Sequence, residues 1–212
     1  MVRGKDSPNA PRALRREATR ASLIEAAHVL AERAGADPLD PAEVAAEAGA
    51  SRSLFYAHFP TRGAFVDAIL LSIHEEEGAP AAPAPSADLG PARGLLAFFG
   101  RLASPLDRHA ALARAVIPAS HLPGPVADAR MRRRSNAVAR LADLIPSALP
   151  LRYERAAFLM DAFLGVQLAW SKASAAEALA DRVERDLAWA VQGVLAPPST
   201  QTPLPIVSLP SP

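Results

Sequence analysis

The chain of 212 residues has no cysteine. This excludes a disulfide framework, thiolate zinc sites and a cysteine nucleophile, and it suits a reducing cytoplasm. Aromatic residues make up only 5%, so a segment where several of them gather stands out. Neither sign of charge is in surplus: 23 Lys and Arg face 22 Asp and Glu, a formal net charge of +1. A protein that wraps nucleic acid over its whole surface is far more basic, so any basic surface here must be local. No run approaches the roughly 20 apolar residues of a membrane span, and the opening MVRGKDSPNAPRALRREATR lacks the apolar centre of a signal peptide. A cytoplasmic protein is expected. Also missing are a G-x-S-x-G elbow, an H-E-x-x-H pair and a Gly-rich phosphate loop. Without them the usual routes to catalysis have no support, and the expectation is no enzyme. His109 and His121 lie at no recognisable ligand spacing, so no metal and no cofactor are expected.

What is present is half hydrophobic, enough to bury a core in one domain or two small ones. Ala, Arg and Pro are abundant in a way that GC-rich coding explains, so a single arginine carries little weight alone. Three stretches read as irregular. Residues 1 to 20 hold six basic and two acidic side chains, and residues 1–17 are expected to be a flexible basic arm. GAPAAPAPSADLGP, residues 78–91, reads as a Pro/Ala linker, because prolines lack the amide hydrogen and clash with the preceding turn. The Pro-rich tail at 197–212 is expected to be disordered.

Between these stretches the periodicity is helical, and no alternating strand pattern occurs. In SLIEAAHVLAERAG, Leu23, Ala27, Leu30 and Ala34 follow the 3.6-residue repeat and stop at Gly35, which reads as a C-cap. Asp40, Pro41 and Glu43 read as the N-cap, N1 proline and acidic residue of a capping box. A second helix then runs to about Ala48. Gly49 supplies a turn position, Ser51 caps a short third helix to about Phe59, Pro60 ends it, and Thr61 caps a fourth. Helix, tight turn and short helix is the helix-turn-helix pattern, whose second helix enters the major groove. Phe55 and Phe59 share one face of that short helix as anchors to the preceding helices. Ser51, Arg52, Leu54 and His58 fall on the other face, with Tyr56 at the border, facing outward to phosphates and base edges. Arg52 by itself reads as readily as a solvated cation as a DNA contact, Tyr56 has a core aromatic as its lesser alternative, and Leu54 reads equally as an inward-packing residue or as a contact to a thymine methyl.

The set Gly35, Val44-Ala45, Ala48-Gly49-Ala50-Ser51, Leu54-Phe55-Tyr56, His58-Phe59, Thr61-Arg62 and Phe65 resembles the DNA-binding domain of the TetR family of bacterial transcriptional repressors, over roughly residues 18 to 70. The resemblance implies an all-α homodimer with an N-terminal three-helix operator-binding head (residues 18–64). The C-terminal helical domain (65–196) would bind a small-molecule effector and dimerise. It implies DNA contacts by Ser51, Arg52, Ser53, Leu54, Tyr56, His58 and Arg62. Ser53 stands where a glycine or small residue is usual, Leu54 where threonine or serine is, and Arg62 where the family has a lysine against phosphate, a role arginine also fills, bidentately.

The C-terminal segments are helical in pattern: PARGLLAFFGRLAS, PLDRHAALARAVIPAS, Val126 to about Ser147, Leu151 to Ala173, and Ala175 to Ala196. Ala162, Gly165 and Ala169 form a small-residue face, and Leu179, Val183, Leu187, Ala190 and Val194 form an apolar stripe. These two faces suit the four-helix dimer interface that the resemblance implies, and equally an intrachain core. Phe98, Phe99, Met131, Phe158, Met160, Phe163 and Trp170 are candidate pocket residues, although an aromatic or Met at helical spacing is more often plain core. The run Arg130, Arg132, Arg133, Arg134 reads as a solvated face or an anion site. The functional expectation is a repressor released from an inverted-repeat operator by a small molecule. The alternative is a ligand-independent DNA-binding or partner-docking protein with the same head.

Overall fold

A computed structural model describes residues 10–75, 90–120, 127–173 and 176–197. The expected linker between 78 and 89, the tail from 198 and the arm from 1 to 9 lie outside them. Among the described residues there are nine helices and no strand, so the fold is all-α as the periodicity implies.

Helix α1 spans Ala10–Ala31. The expected flexible arm at 1–17 is therefore corrected from residue 10 onward. The stretch from Arg12 to Ala18 is built from strong helix formers, and Pro11 falls in the first turn, where a missing amide hydrogen costs nothing. Leu23, Ala27 and Leu30 are buried on one face. The helix stops four residues before the expected glycine, and Gly35 instead supports the following turn with a left-handed φ of 83°.

Helix α2, Pro41–Glu47, begins where expected: the Asp40 carboxylate accepts from the backbone N–H of Ala42 at 2.7 Å and of Glu43 at 3.0 Å. The other half of the box differs. Glu43 accepts from the N–H of Asp37 at 3.1 Å, because Asp40 gives its own N–H to the Asp37 carbonyl. The α2 end is a Schellman turn: Ala50 N–H donates to Ala45 O, Gly49 N–H donates to Ala46 O, and Gly49 has φ 64°. Only two more residues separate this glycine from α3, Arg52–His58, whose cap Ser51 Oγ accepts from Leu54 N–H at 3.1 Å. Helix α4, Arg62–Glu75, starts with Thr61 Oγ1 accepting from Ala64 N–H. Phe55, Phe59 and Phe65 form a buried aromatic triangle with ring centroids 4.8 to 5.5 Å apart. Phe65 thus completes the head core from α4, and the expected boundary after residue 64 falls inside that helix.

The body consists of α5 Pro91–Arg108, α6 Ala110–Ser120, α7 Ala127–Leu144, α8 Arg152–Ser171 and α9 Leu179–Leu195. Gly90 and Pro91, read as the end of the linker, are the N-cap and first residue of α5. The expected break before Pro105 does not occur. Pro105 is buried beside Ala103 and Leu106, and this packing offsets the roughly 3 kcal/mol an interior proline costs a helix. Helix α5 packs along α9, α8 lies against α7, α9 and α6, and α4 passes from the head onto α5 and α6.

Three polar side chains clamp helix ends. Asp107, on α5, accepts from the N–H groups of Leu179 at 2.5 Å and Ala180 at 2.9 Å at the start of α9. Arg114, on α6, donates to the carbonyls of Trp170 in the last turn of α8 and of Ala173 and Glu177 beyond it, with its guanidinium 4.0 Å from the Trp170 ring centroid. Arg155, on α8, donates to the carbonyls of Val194 and Ala196 at the end of α9. An anion at a helix start and cations at helix ends match the sign of the helix dipole.

Candidate nucleic-acid interface and the regulatory body

Helix α3 is just short of two full turns and would not persist by propensity alone. It is held by its Ser51 cap and by Phe55 and Phe59, which are 0% and 2% exposed. The side chains left over face out. Ser51, Arg52 and Ser53 are exposed, Leu54 and Tyr56 are 39% and 41% exposed, and His58 is half-buried at the far end. Arg62, just beyond, is exposed at the first position of α4. The seven residues implied as DNA contacts thus lie along α3 and the start of α4.

Leu54 does not pack inward: its exposure places an apolar side chain on the open face. Tyr56 touches the core with one edge, its ring 5.4 Å from that of Phe55, and carries the Arg52 guanidinium 5.7 Å from its centroid. The proximity of the Tyr56 side chain is the first cause that raises the Arg52 pKa above its ordinary value. Arg62 stands 3.7 Å from the Asp37 carboxylate, with both side chains about half exposed. Such a pair is worth little in water, and a phosphate competes for the same guanidinium. Arg52 and Arg62 both contribute to lowering the Asp40 pKa, after the two backbone N–H donors that dominate. The cations therefore converge on the start of the helix-turn-helix.

His58 has its pKa held below the ordinary value, first by burial and then by the charges of Arg16 and Arg20 on α1. A histidine depressed in the folded state binds protons more readily once unfolded. Its contribution is intact above the unfolded value near 6.5, and stability is lost as pH falls below it. We expect urea midpoints of the head to fall between pH 7 and 5.5, and His58→Gln to flatten that dependence. An identical pH profile for the variant would assign the acid sensitivity to other groups.

The candidate pocket residues in the body divide between the interior and the surface. Phe98, Phe99 and Phe163 pack in the interior, with Phe99 and Phe163 5.0 Å apart, and Met160 is also buried. Trp170 is fully buried under Arg114, with its indole N–H donating to the Glu177 carbonyl at 2.8 Å. Met131 and Phe158 are 59% and 50% exposed. Of the arginine run, Arg132 and Arg133 are exposed and Arg134 pairs with Asp161 at 2.6 Å; the Arg130 side chain lies outside the described residues.

A shallow groove of about 500 Å³ runs between α8 and α9, lined by Leu151, Arg155, Phe158, Trp189 and Gly193 among others. Trp189 is 68% exposed there. Its signal in the sequence is its position two residues after Leu187, off the buried stripe of α9. A second hollow, of about 290 Å³, lies where the head meets the body, lined by Glu25, His28, Glu32, His109 and Leu112. The His28 and His109 rings meet edge-on there at 4.8 Å. Among the described residues no group of three or more His, Asp or Glu side chains is placed to hold a metal ion, and no helix is long and apolar enough to cross a membrane.

Residues 23–69 match the family model of bacterial regulatory proteins of the tetR family. No curated protein sequence matches the chain. Among solved structures the chain is similar to FadR of Thermus thermophilus, described as a TetR family transcriptional repressor in complex with lauroyl-CoA. The identity is 18%, over 87% of this chain and 99% of that one, with a TM-score of 0.54. At that identity the likeness shows a shared fold.

Proposed function

We propose that this chain, a TetR family regulator by its head, is a cytoplasmic repressor that leaves an inverted-repeat operator when a small molecule binds its body. The observation that carries the reading is the outer face of α3. A seven-residue helix capped at Ser51 and anchored by two phenylalanines holds Arg52, Leu54 and Tyr56 away from the core. Burial and capping account for Ser51, Phe55 and Phe59; the exposed leucine gains nothing from water and suits a groove. The phosphate-directed role belongs to Arg62 and Tyr56, and the base-reading role to Leu54.

Two such heads reach an inverted repeat through a homodimer. The exposed Phe158 and Trp189 on α8 and α9, with Leu151 and Tyr153 at 66% and 51% exposure, support these helices as the dimer face. Half-sites would then lie about one helical turn apart or somewhat more. The body's fold likeness to a repressor holding an acyl-CoA supports a small-molecule effector here. Helix α4 contributes Phe65 to the head core and also packs against α5 and α6, a direct path from an effector to the spacing of the heads.

Selection from a random duplex library tests the reading: an inverted repeat should be enriched. Leu54→Thr should then lose about 1 to 3 kcal/mol at one symmetric pair of operator positions, with no change in salt dependence, when profiled against single-base variants. A uniform loss at all positions, or a lower melting temperature of the free protein, would return Leu54 to a packing role. A thermal-shift screen in which no small molecule stabilises the body would favour the ligand-independent alternative.

A further inference from the structure

We infer that the helical extension of α1 upstream of the family-matched head is a second duplex-binding element, which grips backbone phosphates through Arg12 and Arg16. The family match begins at Leu23, whereas α1 begins at Ala10. Within one helix, residues seven and eleven apart lie close to whole turns, and so on the same face. Arg16 stands seven residues before Leu23 and Arg12 eleven before it. The face of α1 that is buried as Leu23, Ala27 and Leu30 therefore continues upstream as arginine.

That face changes character where the head core ends. Arg20 is the transition: its guanidinium lies 5.4 Å from the Phe59 ring centroid and 3.7 Å from Glu17. One turn further out Arg16 is exposed, yet its charge still acts on His58, the last residue of α3. The extension thus leaves the head beside the C-terminal end of the helix whose outer face is read as the DNA surface. Arg12 and Arg15 are exposed as well, and Glu17 is the one acidic residue between 10 and 20. The chain as a whole is almost neutral, so this is a local concentration of charge continuous with the α3 face. From Leu23 to Arg12 the helix advances about 16 Å, enough to pass several phosphates beyond the groove that α3 would occupy. Guanidinium groups on a rigid helix suit phosphate oxygens and carry no base preference.

The inference rests on the reading of α3 as the groove helix, and its test separates the two. Binding of the full chain would be measured by fluorescence anisotropy over a salt series, on the duplex enriched by selection and on an arbitrary 40-base-pair duplex. The variants are Arg12→Gln/Arg16→Gln, which keeps helix-forming residues, and Arg132→Gln/Arg133→Gln, which removes the same charge from the body. The α1 variant should bind both duplexes more weakly. Its log–log salt slope should drop by about 0.9 for every phosphate that each head no longer neutralises, and the base preference should stay the same. The wild type should lose affinity when base pairs flanking the half-sites are trimmed, and the α1 variant should not. The body variant should match the wild type. Equal slopes for the α1 variant and the wild type on the arbitrary duplex would overturn the inference whether or not an operator is found. A selection that enriches nothing would count against the reading of α3 alone.

Discussion

Phe55→Ala should abolish duplex binding and lower the stability of the head by about 3 to 5 kcal/mol, the usual cost of emptying a large aromatic site in a packed core. Phe55 is fully buried and meets Phe59, Phe65 and Tyr56 at centroid distances between 4.9 and 5.5 Å. Its neighbours cannot readily collapse into the space, because Phe59 and Phe65 already pack on each other at 4.8 Å. A helix of seven residues has no reserve of its own, and whole domains are stable by only about 5 to 15 kcal/mol. Local loss of α3 should therefore precede loss of the body. Hydrogen exchange read by mass spectrometry should show faster exchange over residues 41–60 and unchanged protection in α8 and α9. A variant that still bound the selected duplex at wild-type affinity would remove α3 as the reading element.

If the proposed dimer forms through the α8 and α9 groove, Trp189→Glu should convert it to a monomer at micromolar concentration, seen as a mass half that of the wild type in sedimentation equilibrium. A surface tryptophan that is 68% exposed, sharing a groove with a half-exposed phenylalanine, has the make-up of an interface centre, where single truncations cost about 2 kcal/mol or more. A carboxylate there would also have to be desolvated against apolar surface, which adds to the penalty. The protomer fold should persist, because Trp189 contributes little to the interior, and the far-UV spectrum should be unchanged. Operator affinity should fall far more than any single side chain of the head explains, since two linked heads bind with an effective concentration that separate heads lack. An undiminished dimer would place the interface elsewhere than the α8 and α9 groove.

The parts of this fold that were readable in the sequence are those made by bonds and packing a few residues apart. Asp40, Ser51 and Thr61 cap the helices they precede because a cap is a bond from a side chain to an amide two or three positions on. Gly49 declares its turn because its left-handed backbone is difficult for other residues. Phe55 and Phe59 share a face by spacing alone. What escaped depends on distant partners. Proline at 105 reads as a helix break until the burial of its ring is known. The Asp107 clamp joins positions 72 residues apart. The helical start of α1 was hidden by prolines and arginines that suggest an arm, although Arg12 to Ala18 has the propensity to continue a helix. Aromatic spacing in the body could not separate the interior Phe99 and Phe163 from the surface-facing Phe158, since both kinds recur with the same period.

The clamps made by Asp107, Arg114 and Arg155 reach main-chain atoms at the helix ends: amides at 179 and 180, and carbonyls at 170, 173, 177, 194 and 196. Every residue except proline offers the amide, and every residue offers the carbonyl, so these bonds place almost no demand on side-chain identity where they land. The burden of each join therefore rests on one position only. Loop residues such as Ala173 and Ala196 can drift in identity without loosening the bundle, while the three clamping side chains cannot. Such one-sided joints leave the ends of α8 and α9 free to diverge while the helices keep their register.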